Sequence, residues 1–228
     1  MCSMWTVVRR LCCLPIFGIG LTALAVTPTA AQTEAARFEL RVEITWSSET
    51  APYEFPEDAH LSPLIGATHN SRYVLFRDGY TASAGLELVA ENGRASILKA
   101  EFAEAMRRGR IGTVVDGPKL DSAPGAMVVE FEAKPEHPAL SFVTMIAPSP
   151  DWFTGAADVV LLSDGEWIDE IEIPLWAWDS GTDGGATYTA RNDDLQPRQS
   201  VRLLSGPHFL TPDGLVAVGK AWIRRVQP

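Results

Sequence analysis

The stretch Phe38-Glu-Leu-Arg-Val-Glu-Ile-Thr-Trp46 alternates apolar and polar residues with period two. Successive side chains of an extended strand point to opposite faces, so Phe38, Leu40, Val42, Ile44 and Trp46 are predicted to share one buried face. Further β-rich runs follow at 126–133, 141–147, 159–162, 167–173, 200–204 and 215–225, with Gly, Pro and Asp clusters between them. Short strands separated by turn formers are the pattern of an all-β, antiparallel β-sandwich. The segment 47–70 reads as a loop, and 73–76 as a short apolar stretch suited to a strand.

Two short helices are expected beside the sandwich. Residues 82–91 read as one, stopped at Asn92-Gly93, where glycine permits the left-handed turn that ends many helices. Residues 96–108 read as the other, with Ile97, Leu98, Phe102 and Met106 on one side and Arg107, Arg108 and Arg110 at its negative end.

The N-terminus has a different logic. Arg9 and Arg10 precede an uncharged apolar run from 11 to 26, and Thr29-Ala30-Ala31 offers small residues for cleavage. That is the layout of a secretory signal peptide over 1–31, and the run is shorter than the roughly 20 residues a membrane span needs. The expectation is an exported chain, secreted or periplasmic, with a single domain over 32–228 and no membrane span after cleavage. All three cysteines (Cys2, Cys12, Cys13) fall within the leader, so the exported part can hold no disulfide or zinc–thiolate site. Its stability must come from an apolar core or a bound metal.

The formal charge is −10, and −12 without Arg9 and Arg10. Such a surface repels phosphate backbones, which argues against nucleic acid as a partner. Clustered carboxylates suit hard cations, and two acidic motifs are candidates: Pro148-Ser-Pro-Asp-Trp-Phe153 and Asp179-Ser-Gly-Thr-Asp-Gly-Gly185. Calcium takes six to eight oxygens from carboxylates, carbonyls and water. Asp179 and Asp183, four apart around Gly181, can face one point across a tight turn, and Asp151 joins them if its loop lies at the same end of the sandwich. The second motif is not an EF-hand, because Ala190 stands where the twelfth-position Glu belongs. Asp-Gly clusters also form ordinary turns, so spacing alone leaves both readings open.

Several stretches together carry a resemblance. His60-Leu-Ser-Pro-Leu-Ile-Gly-Ala-Thr-His69, Phe76-Arg-Asp-Gly79, Ala82-Ser-Ala-Gly-Leu86, Ala90-Glu-Asn-Gly93, Ser149-Pro-Asp-Trp-Phe-Thr-Gly155 and Trp178-Asp-Ser-Gly-Thr-Asp-Gly184 occur in order. They make the chain, from about 38 to 226, similar to the spondin N-terminal family. The resemblance implies a C2-like β-sandwich with a calcium ion held by loops at one end. It carries the ligands over to Asp151, Asp179 and Asp183, and places a further carboxylate at Glu132, which is either a ligand or a partner contact. It further implies a non-enzymatic role in adhesion or recognition, with a cell-surface or matrix protein or a glycan as partner. The chain departs from the animal members in lacking their cysteines, and no thrombospondin-type repeats follow the domain.

Other readings are kept beside this one. Trp152, Trp167, Trp176 and Trp178 flank the acidic loops and, if exposed, would suit stacking on sugars. His60, His69, His137 and His208 are scattered, and the first two are expected to make structural hydrogen bonds. Paired carboxylates such as Asp151 and Asp179, if free of metal, would suit an extracytoplasmic hydrolase of glycosidase type.

Overall fold

A computed structural model describes residues 34–226; the leader predicted over 1–31 lies outside the described residues. In chain order the strands are β1 (Ala36–Ile44), β2 (His60–Leu61), β3 (Ile65–His69), β4 (Ile111–Asp116), β5 (Gly125–Ala133), β6 (Ala139–Ala147) and β7 (Trp152–Val160). They continue as β8 (Leu162–Ser163), β9 (Glu166–Trp167), β10 (Glu170–Leu175), β11 (Ala177–Asp179), β12 (Arg202–Leu203), β13 (Leu210–Thr211), β14 (Gly214–Leu215) and β15 (Gly219–Val226). Helices α1 (Ala84–Asn92) and α2 (Ser96–Arg107) fall between β3 and β4.

A four-stranded sheet runs β10-β15-β1-β5, and a larger one β12-β11-β7-β6-β3-β4 with β2 paired to β6. All of these pairings are antiparallel. The fold is therefore the predicted antiparallel β-sandwich with two short helices.

β1 explains the first sheet. Phe38, Leu40, Val42, Ile44 and Trp46 are all buried, as the alternation predicts. Full burial of such side chains contributes about 1.5–3 kcal/mol each. The opposite face of β1 carries Arg37, Glu39, Arg41 and Glu43, and Arg37 pairs with Glu130 of β5 at 2.6 Å.

β6 explains the layering. Eight of its nine residues are buried. Leu140, Phe142 and Ile146 enter the core between the sheets with Phe38 and Leu40. Val143 points the other way, into a second core with Leu86, Val89, Leu98 and Phe102 of the helices. A strand covered on both faces reads as a continuous apolar run, and 139–147 does.

The helices match their predicted extents closely. Ser83 caps α1, accepting from Leu86 N at 3.1 Å, and Glu101 of α2 accepts from Gly85 N at 2.8 Å. Gly93 ends α1 at φ 64°. The buried face of α2 is Leu98, Phe102 and Ala105, whereas Ile97 and Met106 are exposed. The expectation for those two is thus corrected: the buried stripe runs through Ala105 instead. The loop expected over 47–70 contains β2 and β3, whose Gly66, Ala67 and Thr68 are small enough to lie between β4 and β6. The stretch 73–76 is not a strand; Phe76 packs under the sheet against Phe153 and Trp178.

Candidate functional site

The two acidic motifs meet because β7 and β11 pair. Asp179 stands opposite Trp152 in their register, which sets it beside Asp151, and Ser180 N donates to Asp151 O at 3.2 Å. The turn after β11 then wraps the Asp151 side chain. Asp151 Oδ2 accepts from Thr182 N at 2.8 Å, Ser180 Oγ at 3.0 Å and Asp183 N at 3.2 Å, with Thr182 Oγ1 at 3.4 Å. Asp151 is 0% exposed, and Asp179 and Asp183 are 5% each.

Gly181 makes the wrap possible. It adopts φ 75°, and a Cβ there would lie 2.7 Å from Gln199 carbon and oxygen atoms. Its N–H donates to Asp179 Oδ1 at 2.8 Å, and its carbonyl accepts from Gln199 N at 2.8 Å. Asp183 is held in the same way: Oδ1 accepts from Gly185 N at 2.7 Å and Oδ2 from Asp193 N at 2.9 Å. The segment 193–199 therefore braces the turn from outside, with Leu195 N donating to Thr182 O at 2.8 Å.

The electrostatics are strained toward negative charge. Burial, then the neighbouring Asp179 charge, pushes the Asp151 carboxyl above its ordinary range, against the pull of the donors from Thr182, Asp183 and Ser180. Its Oδ1 is buried with no hydrogen-bond partner. Glu91, in the last turn of α1, is also pushed up, first by burial and further by Glu87, Asp183 and Asp151, while a hydrogen bond with the Thr182 side chain opposes the shift. Arg202 answers Asp179 alone, pairing with its Oδ2 at 2.8 Å. A cavity of about 410 Å³ adjoins the site, lined by Asp179, Asp183, Arg202, Trp152 and His208 among others.

The structure thus brings together the loops of Asp151, Asp179 and Asp183, as predicted. Among the described residues, no three Asp, Glu, His or Cys side chains are gathered closely enough to hold a metal ion unaided. An ion at this point would draw on carbonyls or water as well. An orphaned, buried carboxylate oxygen beside two further aspartates is a donor set that fits a hard cation.

Glu132 does not belong to this cluster. It pairs in register with Arg37 at the beginning of β1, whereas the aspartate turns continue from the other end of the sheet, where Ile44, Gly219 and Leu175 align. It is half-exposed, 3.7 Å from Lys134 Nζ, and lines a separate cavity with Arg37, Trp167 and Arg225. Its place as a ligand is corrected on that ground.

The tryptophans divide. Trp152 is core, with ring centroids 5.1 Å from Tyr188 and 4.8 Å from His208, so the sugar-stacking role is corrected for it. Trp167 packs on Phe38 and Trp178 on Phe76. Trp176 lines a further cavity with Trp178, Arg77 and Asp158. His60 and His69 make the expected hydrogen bonds, His60 Nδ1 with Asp58 O at 2.6 Å and His69 Nε2 with Ser141 Oγ at 2.7 Å.

Glu91 and Arg202 were missed by sequence reasoning. Glu91 lies within Ala90-Glu-Asn-Gly93, where the helix stop drew the reading, and Arg202 is the polar member of the alternation Val201-Arg-Leu203.

Comparison with known proteins agrees with this architecture. A family model described as Spondin_N matches residues 36–208. Spondin-2 of Rattus norvegicus is 34% identical over 170 residues, covering 73% of this chain and 52% of that protein. Spondin-2 of Homo sapiens is 32% identical over 172 residues, covering 73% and 51%. Spondin-1 of Gallus gallus is 33% identical over 195 residues, covering 78% and 24%. The match spans about half of the Spondin-2 proteins and a quarter of Spondin-1.

Proposed function

The chain belongs to the spondin N-terminal family, and from that premise we propose that it is an exported, calcium-binding, non-enzymatic domain that mediates adhesion or recognition outside the cytoplasm. The observation that carries the ion reading is the state of Asp151: buried, raised in proton affinity, saturated with donors on one oxygen and without a partner on the other. Asp151, Asp179 and Asp183 would hold the ion, with carbonyl and water oxygens completing its shell. When bound it would supply positive charge where carboxylates repel one another, and so fix the turn after β11 against the loop before β7.

The same geometry disfavours the hydrolase alternative. A glycosidase needs two carboxylates facing its substrate. Asp151 is inaccessible, and both oxygens of Asp179 are engaged, one by Gly181 N and the other by Arg202. The recognition role draws on family membership, and the partner class is a cell-surface or matrix protein or a glycan.

Calcium titration followed by thermal melting tests the ion reading. The melting temperature is expected to rise with calcium, because a ligand bound only by the folded state stabilises it; no rise in excess calcium sinks this reading. Capture of partners from native cell surfaces with and without chelator tests the role. A partner set insensitive to chelator would remove calcium from recognition.

A further inference from the structure

One side of β7 is only partly paired. β11 runs beside it from Trp152 to Thr154, and no strand pairs with it beyond 154 on that side among the described residues. Before Ala177 the chain comes through Trp176 from β10, which belongs to the other sheet. A cavity of about 400 Å³ opens there, a volume within the range of small-ligand sites. Gly155 and Ala156 leave room in it, Ile173 brings in the other sheet, and Trp176 and Trp178 complete its apolar lining. Both indoles are partly exposed, and two residues apart on an extended chain they share a face. Phe76 fixes the Trp178 ring edge-on at 5.5 Å between centroids.

A bulge supplies the polar part. The register of β6 with β7 slips between Leu140 and Phe142, so that Ala157 and Asp158 both stand opposite Ser141. Asp158 takes φ 57°, a left-handed conformation that Asp tolerates better than most residues, and its N–H donates to Ser141 Oγ at 2.9 Å. Such bulges re-aim side chains. The Asp158 carboxylate accepts from Arg77 Nη2 at 3.0 Å, and the Arg77 guanidinium carbon lies 5.3 Å from the centre of the Tyr80 ring. The side chains of Arg77 and Asp158 are 48% and 42% exposed, so the pair adds little to stability. It does hold a carboxylate and a guanidinium side by side at the cavity.

We propose that this cavity binds a neutral saccharide, as a single hexopyranose ring or a short chain of them. The C–H face of a pyranose is apolar and suits an indole, while its hydroxyls both donate and accept. A carboxylate beside a guanidinium offers an acceptor and donors at one place, which matches two neighbouring hydroxyls. Charge selects against acidic sugars. The lining sets Arg77 against Asp78 and Asp158, in a chain whose formal charge is itself −10. The inference rests on the recognition reading above, whose glycan partner it assigns to a site of its own, and it involves neither calcium nor the aspartate cluster.

The experiment probes the unaltered protein, in chelator, against immobilised neutral oligosaccharides of glucose, galactose and mannose, with uronate-containing and sulfated ones beside them. The best neutral binder is then titrated by calorimetry and by NMR of the indole N–H groups. Neutral oligosaccharides are expected to bind and acidic ones not. The Trp176 and Trp178 indole signals are expected to shift, and that of Trp222, under Lys220 on β15, to stay. Trp176→Ala is expected to weaken binding at least about tenfold, as loss of a central aromatic anchor does. Asp158→Asn keeps the shape without the charge and is expected to weaken it about tenfold, whereas Trp222→Ala changes nothing. The indole shifts are read on the unaltered protein, so they decide the matter even if Trp176→Ala does not fold. Absence of neutral binders, preference for acidic ones, or full binding in both cavity variants overturns the assignment. A cell-surface protein captured by the unaltered chain and lost with Trp176→Ala, without saccharide binding, overturns it in favour of a peptide at the open edge of β7 and leaves the recognition reading standing. Capture of neither saccharide nor protein overturns both.

Discussion

Arg202 and Asp179 face each other across the β11–β12 register, and the guanidinium donates to Asp179 Oδ2 from Nε at 3.1 Å and Nη2 at 2.8 Å. The arginine side chain is 61% exposed and the carboxylate 7%. Solvent screens such a pair, so its contribution is about 1 kcal/mol or less. Its second effect is on the ion, because a guanidinium on Asp179 competes with a cation for the same oxygen. Arg202→Gln is expected to lower stability slightly in chelator and to strengthen calcium binding a few-fold. Paired denaturation and titration curves check both signs. Weaker calcium binding in Arg202→Gln would mean that the arginine organises the turn.

Two substitutions at Asp151 separate its charge from its hydrogen bonds. Asp151→Asn keeps one carbonyl oxygen for the donors of Ser180, Thr182 and Asp183 and removes the repulsion with Asp179. In chelator its stability is expected to equal or exceed that of the unaltered chain. Asp151→Ala strands those donors in a buried place, which costs about 1–3 kcal/mol for each group left unsatisfied. Both variants are expected to lose the calcium-induced rise in melting temperature. Urea unfolding in chelator, then melting with calcium, distinguishes them; an Asn variant as unstable as the Ala variant would show that the ionised form is required for folding.

The sandwich was legible because burial on one face leaves a period-two trace, and β1 with the two residues after it shows that trace without interruption from Phe38 to Trp46. β6 was equally readable for the opposite reason, being covered on both sides. β3 was not legible: Gly66, Ala67 and Thr68 pack between two strands where larger side chains would collide, and a Cβ on Gly66 would come 2.5 Å from Ser141 O. Small residues leave no hydrophobic signature, so the strand reads as loop. At the site, the aspartates were visible because turn chemistry concentrates Asp and Gly in short motifs. Arg202 was not, since its pairing with Asp179 depends on β12 joining β11 in the sheet. Of the two readings kept for Glu132, the ligand one failed and the partner contact stands, because order along the chain does not say which sheet a strand joins.

Gly181→Ala tests whether the turn after β11 depends on its backbone. At φ 75° a side chain is strained, and the added Cβ would meet backbone atoms of Gln199 and Ser200 at 2.7–2.8 Å, with no flexible group to yield. The expected loss is about 1–3 kcal/mol. Because Gln199 N and Leu195 N are held by this turn, their amide exchange should accelerate along with the loss. Chemical denaturation and hydrogen exchange provide the check. Unchanged protection at both amides would show that the brace over 193–199 forms independently of the turn.

His69 gives the fold a pH dependence distinct from that of the aspartate site. Its Nε2 meets Ser141 Oγ at 2.7 Å and Nδ1 meets Asn70 O at 3.1 Å, with Tyr73 5.5 Å away between ring centroids. Burial lowers its pKa below the ordinary 6.5 and His137 lowers it further, while the Asn70 carbonyl and Asp158 pull upward without prevailing. The unfolded chain therefore binds a proton near pH 6.5 that the folded chain resists. Linkage fixes the sign: the stability from neutral His69 is complete above pH 6.5 and is lost as pH falls through the lowered folded value. His69→Gln keeps a polar end for Ser141 but does not titrate. It is expected to be less stable at pH 7.5, through lost packing, yet to show a shallower decline between pH 6.5 and 5. Comparing the two proteins in a His137→Gln background removes the histidine coupled to this site, so the difference between the two urea-unfolding profiles isolates His69. Parallel profiles would show that the imidazole is accommodated in either protonation state, with Asp158, whose Oδ1 lies 3.9 Å from Nε2, turning to receive the second proton.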